Sequence, residues 1–124
     1  MNKYKILVID DEQSIRESIS MILEYENYLV ELAANGVQGL NLFNEQNFDA
    51  VLLDVKMPGL DGIEVLQLLK ERNKNIPIIM ISGHGTIETA IECTKKGAYD
   101  FLEKPLDRDK LLISLRNAIE HSTI

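Results

Sequence analysis

Four apolar runs divide the chain: KILVI (5–9), YLVELA (28–33), AVLLDV (50–55) and IPIIMIS (76–82). Most are apolar at every position instead of every second one, the pattern of strands covered on both faces, as in a parallel sheet. The segments between them have helical spacing: Ile15, Ile19, Ile22 and Leu23, then Val37, Leu40 and Phe43, then Ile63, Leu66 and Leu69. Asn35-Gly36 would suit a two-residue hairpin, but the residues after it repeat at three-to-four spacing, so the pair is predicted to precede a helix. A fifth run, YDFLEK (99–104), is shorter and more polar, as an edge strand is, and a last helix from about Asp107 to His121 turns Leu111, Leu112, Leu115 and Ile119 inward. Right-handed crossovers then predict an α/β fold, a doubly wound parallel sheet of five strands with five helices.

With 124 residues there is room for one such domain and one main site. Twenty acidic side chains against thirteen Lys and Arg give a net charge of −7, which argues against direct binding to nucleic acid, since that needs a basic face. The lone Cys93 excludes an internal disulfide framework. No signal-peptide pattern follows the first residues, and no segment reaches the roughly 18 apolar residues of a membrane span. A cytoplasmic protein is expected. The final HSTI (121–124) is expected to be fraying helix or the start of a linker to an output domain.

In doubly wound sheets the ligand site lies beyond the carboxyl ends of the strands. Asp10 and Asp11 stand at the end of the first strand and Asp54 at the end of the third, its neighbour in such a sheet, so carboxylates converge there. Without a cation between them they raise one another's pKa. An all-oxygen set with no histidine or cysteine nearby favours Mg²⁺, which combines one or two carboxylates with water and phosphate oxygens. The fourth strand ends at Ser82 and the fifth at Lys104-Pro105, adding a hydroxyl and an ammonium. A phosphoryl group on Asp54 would use all of them: the metal and Lys104 for its charge, Ser82 as donor.

Each residue also has a plainer reading. Asp11 and Glu12 suit the first turn of a helix, Asp54 and Lys104 a structural ion pair, and Ser82 a turn. Pro58, Gly59 and Gly62 in MPGLDG supply turn geometry in any case. GHGTIE has Glu88 where a GxGxxG loop needs its third glycine, and no GxxxxGK[ST] exists, so nucleotide binding is rejected. Cys93 and His121 fall inside helices as packing or surface residues, and His84 reads as a solvated loop residue.

Together, VIDDE, LLDVKMPGLDG, IMISGHGT and AYDFLEKPL resemble, in order and spacing, the signature blocks of the receiver domain of two-component response regulators, over essentially the whole chain. ISGHGTIETAI and GAYDFLEKPL are most similar to receivers of the NtrC class. The resemblance implies a flavodoxin-like sheet of order 2-1-3-4-5. It also implies Asp54 as phosphoacceptor, Mg²⁺ held by Asp11 directly, Asp10 through water, Asp54 and the main-chain carbonyl of Lys56, and a cis Lys104-Pro105 bond. Ser82 and Phe101 become a switch pair acting on the face of the fourth helix, fifth strand and fifth helix, with packing as the coupling because Phe101 lacks the hydroxyl of the commoner tyrosine. Lys56 and His84 are expected to flank the site and tune dephosphorylation. The implied function is a phosphorylation switch fed by a sensor histidine kinase docked near the first helix, controlling transcription, with homodimer contact through the switch face and no turnover substrate. The alternatives are a free-standing phosphorelay intermediate and a degenerate interaction module. A Mg²⁺-dependent phosphohydrolase is disfavoured, since the first strand carries no DxD nucleophile motif and no cap domain is present.

Overall fold

The computed structural model describes residues 3–122, and of the final HSTI, Thr123 and Ile124 lie outside the described residues. Strands and helices alternate: β1 (Lys5–Ile9), α1 (Gln13–Tyr25), β2 (Leu29–Ala33), α2 (Gly36–Glu45), β3 (Ala50–Asp54), α3 (Gly62–Arg72), β4 (Ile78–Ser82), α4 (Ile87–Lys95), β5 (Asp100–Glu103) and α5 (Arg108–Ser122). All strand pairs are parallel, in the order β2-β1-β3-β4-β5. This is the doubly wound sheet expected from the apolar runs, with the polar fifth strand at one edge.

Because successive side chains of a strand point to opposite faces, each central strand feeds two cores. Leu7, Ile9, Val51, Leu53, Ile78 and Met80 face Leu40 of α2, Val65, Leu66 and Leu69 of α3, and Cys93 of α4. Ile6, Val8, Leu52, Ile79 and Ile81 face Ile19 and Leu23 of α1 and Leu111, Leu115, Ala118 and Ile119 of α5. Every residue of β3 and β4 is buried. The edge strand β2 is not: Leu29 and Leu32 are exposed.

Asn35 caps α2, its side-chain oxygen accepting from the Gln38 amide at 2.8 Å, so the Asn-Gly pair opens a helix and not a hairpin. Asp61 caps α3 and Thr86 caps α4 in the same way. One helical position differs from the periodicity: Val37 is 60% exposed, and the buried face of α2 is carried by Gly36, Gly39 and Leu40. A Cβ at Gly39 would lie 2.7 Å or less from Ile9 of β1 and one at Gly36 2.7 Å from Val65 of α3, so the helix packs too closely there for a larger side chain, and that displaces the apolar stripe. β3 and β5 each end one residue inside their runs, so Lys104 stands just beyond β5, while Asp10 and Asp11 follow directly on β1. No described helix is long and apolar enough to cross a membrane.

Candidate functional site

The register places Ile9 beside Leu53, and one step further the chain reaches Asp10 just past β1 and Asp54 at the end of β3. Carboxylate oxygens of Asp10, Asp11, Glu12 and Asp54 all lie within 4.8 Å of one another. Asp10 and Asp54 are buried, whereas Asp11 and Glu12 are exposed. Lys104 comes in from the end of β5, its Nζ 2.9 Å from Glu12 Oε1, 3.0 Å from Asp10 Oδ2 and 3.6 Å from Asp54 Oδ2. The Lys104-Pro105 bond is cis, and the Lys104 amide donates to the Ser82 carbonyl at 2.8 Å, which ties the end of β5 to that of β4.

Local hydrogen bonds hold the first acid in place. Asp10 Oδ1 accepts from the Glu12 amide at 2.9 Å, and Arg16 donates to the Asp10 carbonyl at 2.8 Å. Asp10 Oδ2 is buried and has no hydrogen-bond partner; the nearby ammonium attracts it without an aligned N–H. Burial, and next the Asp10 carboxylate, push the Asp54 carboxyl up to about 7, with Asp11 adding and Lys104 opposing. Burial alone would lower the Lys104 pKa, but Glu12, Asp10 and Asp54 together hold it above its ordinary value. The asymmetry is physical: one ammonium gains from several carboxylates, while each carboxylate receives only a share of one ammonium.

Ser82 is buried at the end of β4, and its Oγ accepts from the His84 amide at 3.2 Å. Phe101 is half-buried, paired in the sheet with Met80 and packed into the core on the α2–α3–α4 side. A Cβ at Gly85 would lie 2.7 Å from the Phe101 ring, so this glycine makes room for the aromatic side chain. Lys56 and His84 are exposed on the loops after β3 and β4. Cys93 is fully buried, which pushes its thiol up, and His121 is exposed against the Tyr99 ring; neither joins the acid cluster.

Two participants escaped the sequence reading. Glu12 occupies the N-cap position of α1 yet makes no cap hydrogen bond; its side chain goes to Lys104 instead. Arg16, one helical turn further on, braces the end of β1. Adjacency of Glu12 to two acids was the available signal for the first, and nothing in the sequence singled out the second.

The donor set suits a hard divalent cation: oxygen ligands only, two of the carboxylates buried, and one buried oxygen lacking a proton donor. The larger concavities, about 720 and 520 Å³, lie elsewhere, lined by Lys70, Lys74, Lys95 and His121. Lys70, Lys95 and His121 sit in the last turns of α3, α4 and α5, where cations stabilise helix ends without any ligand.

Residues 6–116 match the family model of the response regulator receiver domain. An NtrX-like response regulator of Rickettsia typhi is 46% identical over 122 residues, covering 97% of this chain and 26% of that protein. The nitrogen assimilation regulatory protein NtrX of Azorhizobium caulinodans is 39% identical, covering 94% of this chain and 26% of that protein. NtrX from Brucella abortus superimposes with a TM-score of 0.93 at 38% identity, covering 98% of this chain and 28% of that one. The beryllofluoride-activated NtrC4 receiver domain dimer superimposes with a TM-score of 0.91 at 39% identity, covering 95% of this chain and 98% of that one. This chain therefore spans about a quarter of the length of these NtrX-type relatives.

Proposed function

This chain belongs to the response regulator receiver domain family, and on that premise we propose that it is a phosphorylation-dependent switch of a two-component system, with Asp54 as the acceptor. One observation carries the assignment: Asp54 is a buried carboxylate at a strand end, raised toward neutrality, with further acids and a lysine ammonium within reach. A fold tolerates that arrangement where a cation and a phosphoryl group complete it.

The donor is a phosphohistidine of a sensor histidine kinase. An oxygen of Asp54 attacks phosphorus in line, the phosphorus–nitrogen bond breaks, and its electron pair stays on the imidazole, which takes a proton from solvent. Water later attacks the same phosphorus and returns the carboxylate and inorganic phosphate. Asp11, Asp54 and the main-chain carbonyl of Lys56, with Asp10 through water, would hold Mg²⁺, which when bound would supply positive charge against the phosphoryl oxygens. Lys104 offers an ammonium to one of those oxygens and Ser82 a hydroxyl to another. As Ser82 turns toward the phosphoryl group, Phe101 takes up the vacated space, and the α4–β5–α5 face shifts between two arrangements. That face is the homodimer contact, and α1 near the site the kinase dock. Lys56 and His84 flank the mouth and set the acyl-phosphate lifetime. Residues 1–124 are the receiver, with 121–124 as the start of a linker to an output domain that controls transcription in the cytoplasm, a reading supported by relatives about four times this length. The domain catalyses only its own phosphorylation and dephosphorylation.

Intact-mass spectrometry after incubation with acetyl phosphate tests the assignment. One phosphate on wild type, only with Mg²⁺, and none on Asp54→Ala is the expected result. An adduct that survives Asp54→Ala would place the acceptor elsewhere, and no adduct on wild type would leave an interaction module.

A further inference from the structure

Glu12 stands at the N-cap of α1, where a shorter side chain such as Asp or Ser accepts from the first amides of the helix. Here no cap bond forms, and Oε1 takes a 2.9 Å hydrogen bond from Lys104. Lys104 is 0.7 Å further from Asp54 than from Glu12 (3.6 against 2.9 Å). The Lys104 side chain is 11% exposed and that of Glu12 56%, so Glu12 holds the ammonium from the solvent side while the buried Asp10 Oδ2 lies 3.0 Å from it on the inner side.

We propose that Glu12 is a positioning residue, a resting-state latch that holds the Lys104 ammonium away from Asp54 and must be displaced when a phosphoryl group arrives. The inference rests on the acceptor role assigned to Asp54. An ammonium stabilises the transferring group through a contact that strengthens as charge develops, and one held on Glu12 must first leave it, so breaking the Glu12 contact is part of the barrier. A phosphoryl group, with more negative charge and three acceptor oxygens, outcompetes a half-exposed carboxylate. Phosphorylation therefore frees Glu12 at the start of α1, the helix that follows directly on the acid cluster. Glu12 sets how readily the site fills, and it touches neither the acceptor nor the donor.

Glu12→Asp separates reach from charge. It keeps the negative charge and is the better helix cap, but it is one methylene too short to hold Lys104 as Glu12 does. Glu12→Gln removes the charge and keeps the reach. Two readouts apply to both variants and wild type. The first is the Lys104 ammonium signal in ¹H–¹⁵N NMR of the metal-free protein, which a latched ammonium protects from exchange with water. The second is the rate of phosphate uptake from acetyl phosphate with Mg²⁺, followed by intact mass. The latch predicts loss of the protected Lys104 signal and at least threefold faster uptake in both variants. An Asp variant that behaves as wild type in either readout overturns it, leaving Glu12 as a charge at a helix end. Uptake by wild type with unchanged variants overturns the latch alone. Absence of uptake in all three proteins overturns the acceptor assignment instead.

Discussion

Helices α3 and α4 lie on the same face of the sheet and are held very differently. α3 buries Gly62, Val65, Leu66 and Leu69, and its first amide donates to the Val55 carbonyl at 2.9 Å, which seats the helix directly on the end of β3. α4 buries only Cys93, while Ile87 is 80% exposed and Ile91 49%. The strands beneath repeat the contrast: β3 is buried throughout, and no residue of β5 is. On one half of the molecule β3 and α3 thus fix the carboxylate cluster; on the other, β5 and α4, unlike α5, are attached with little apolar area. Elements that move in a switch come from the low-stability end of a structure. Ser82, Phe101 and Lys104 are the residues that join the two halves.

The same substitution made in each half should break the comparison most sharply. A Cβ at Gly62 would meet the Asp54 carbonyl oxygen at 2.0 Å and Val55 backbone at 2.7 Å, so Gly62→Ala forces the main chain apart. Its cost should exceed the ~1–3 kcal/mol of ordinary overpacking. At Gly85 the new Cβ meets the far edge of the Phe101 ring at 2.7 Å and Ser82 Cβ at an ordinary 3.5 Å, so a turn of the ring relieves it; Gly85→Ala should cost ~1 kcal/mol and alter the response to phosphorylation instead. Urea denaturation of both variants checks the pair.

Truncation sharpens it next. Leu66→Ala should lose ~3 kcal/mol from the α3 core, whereas Cys93→Ala, at the one buried side chain of α4, should lose ~1 kcal/mol. Equal losses in calorimetry would mean the two helices are anchored alike.

The third prediction concerns the rigid half alone. The Asp54 pKa is raised in the folded, metal-free protein, so its stabilising contribution is full below about pH 4 and is lost as pH rises through about 7. Asp54→Asn removes that dependence and should be the more stable form at pH 8, by ~2 kcal/mol, with the gap closing toward pH 4. Denaturant midpoints across this range without divalent cation measure it. Added Mg²⁺ should close the gap at pH 8 by stabilising wild type.

The smallest effect is local. Thr86 caps α4 by accepting from the Thr89 amide at 3.1 Å, and Thr86→Ala should weaken that helix by ~1 kcal/mol. Faster amide exchange confined to α4, with the global midpoint nearly unchanged, is the expected outcome.

The architecture was legible in the sequence because continuous apolar runs and helical spacing report burial directly, and four runs with a polar fifth leave few topologies. Residues at strand ends were legible because the topology alone gathers Asp10, Asp11, Asp54, Ser82 and Lys104 at one edge. What periodicity could not give is contact distance. Val37 fits the stripe but points outward, because Gly39 brings α2 close to Ile9 of β1 and Gly36 brings it close to Val65 of α3. Glu12 reads as a helix cap, and only the approach of a lysine 92 positions later in the chain reveals its partner. The loose attachment of α4 is likewise invisible in its composition, since Ile87 and Ile91 are as apolar as the buried residues of α3.

Hydrogen exchange with mass spectrometry, before and after phosphorylation by acetyl phosphate with Mg²⁺, tests the central claim most directly. The account predicts exchange changes of at least twofold in residues 83–104, covering α4 and β5, with little change in α3 and the central strands. Changes spread evenly over both halves, or confined to α3, would contradict it.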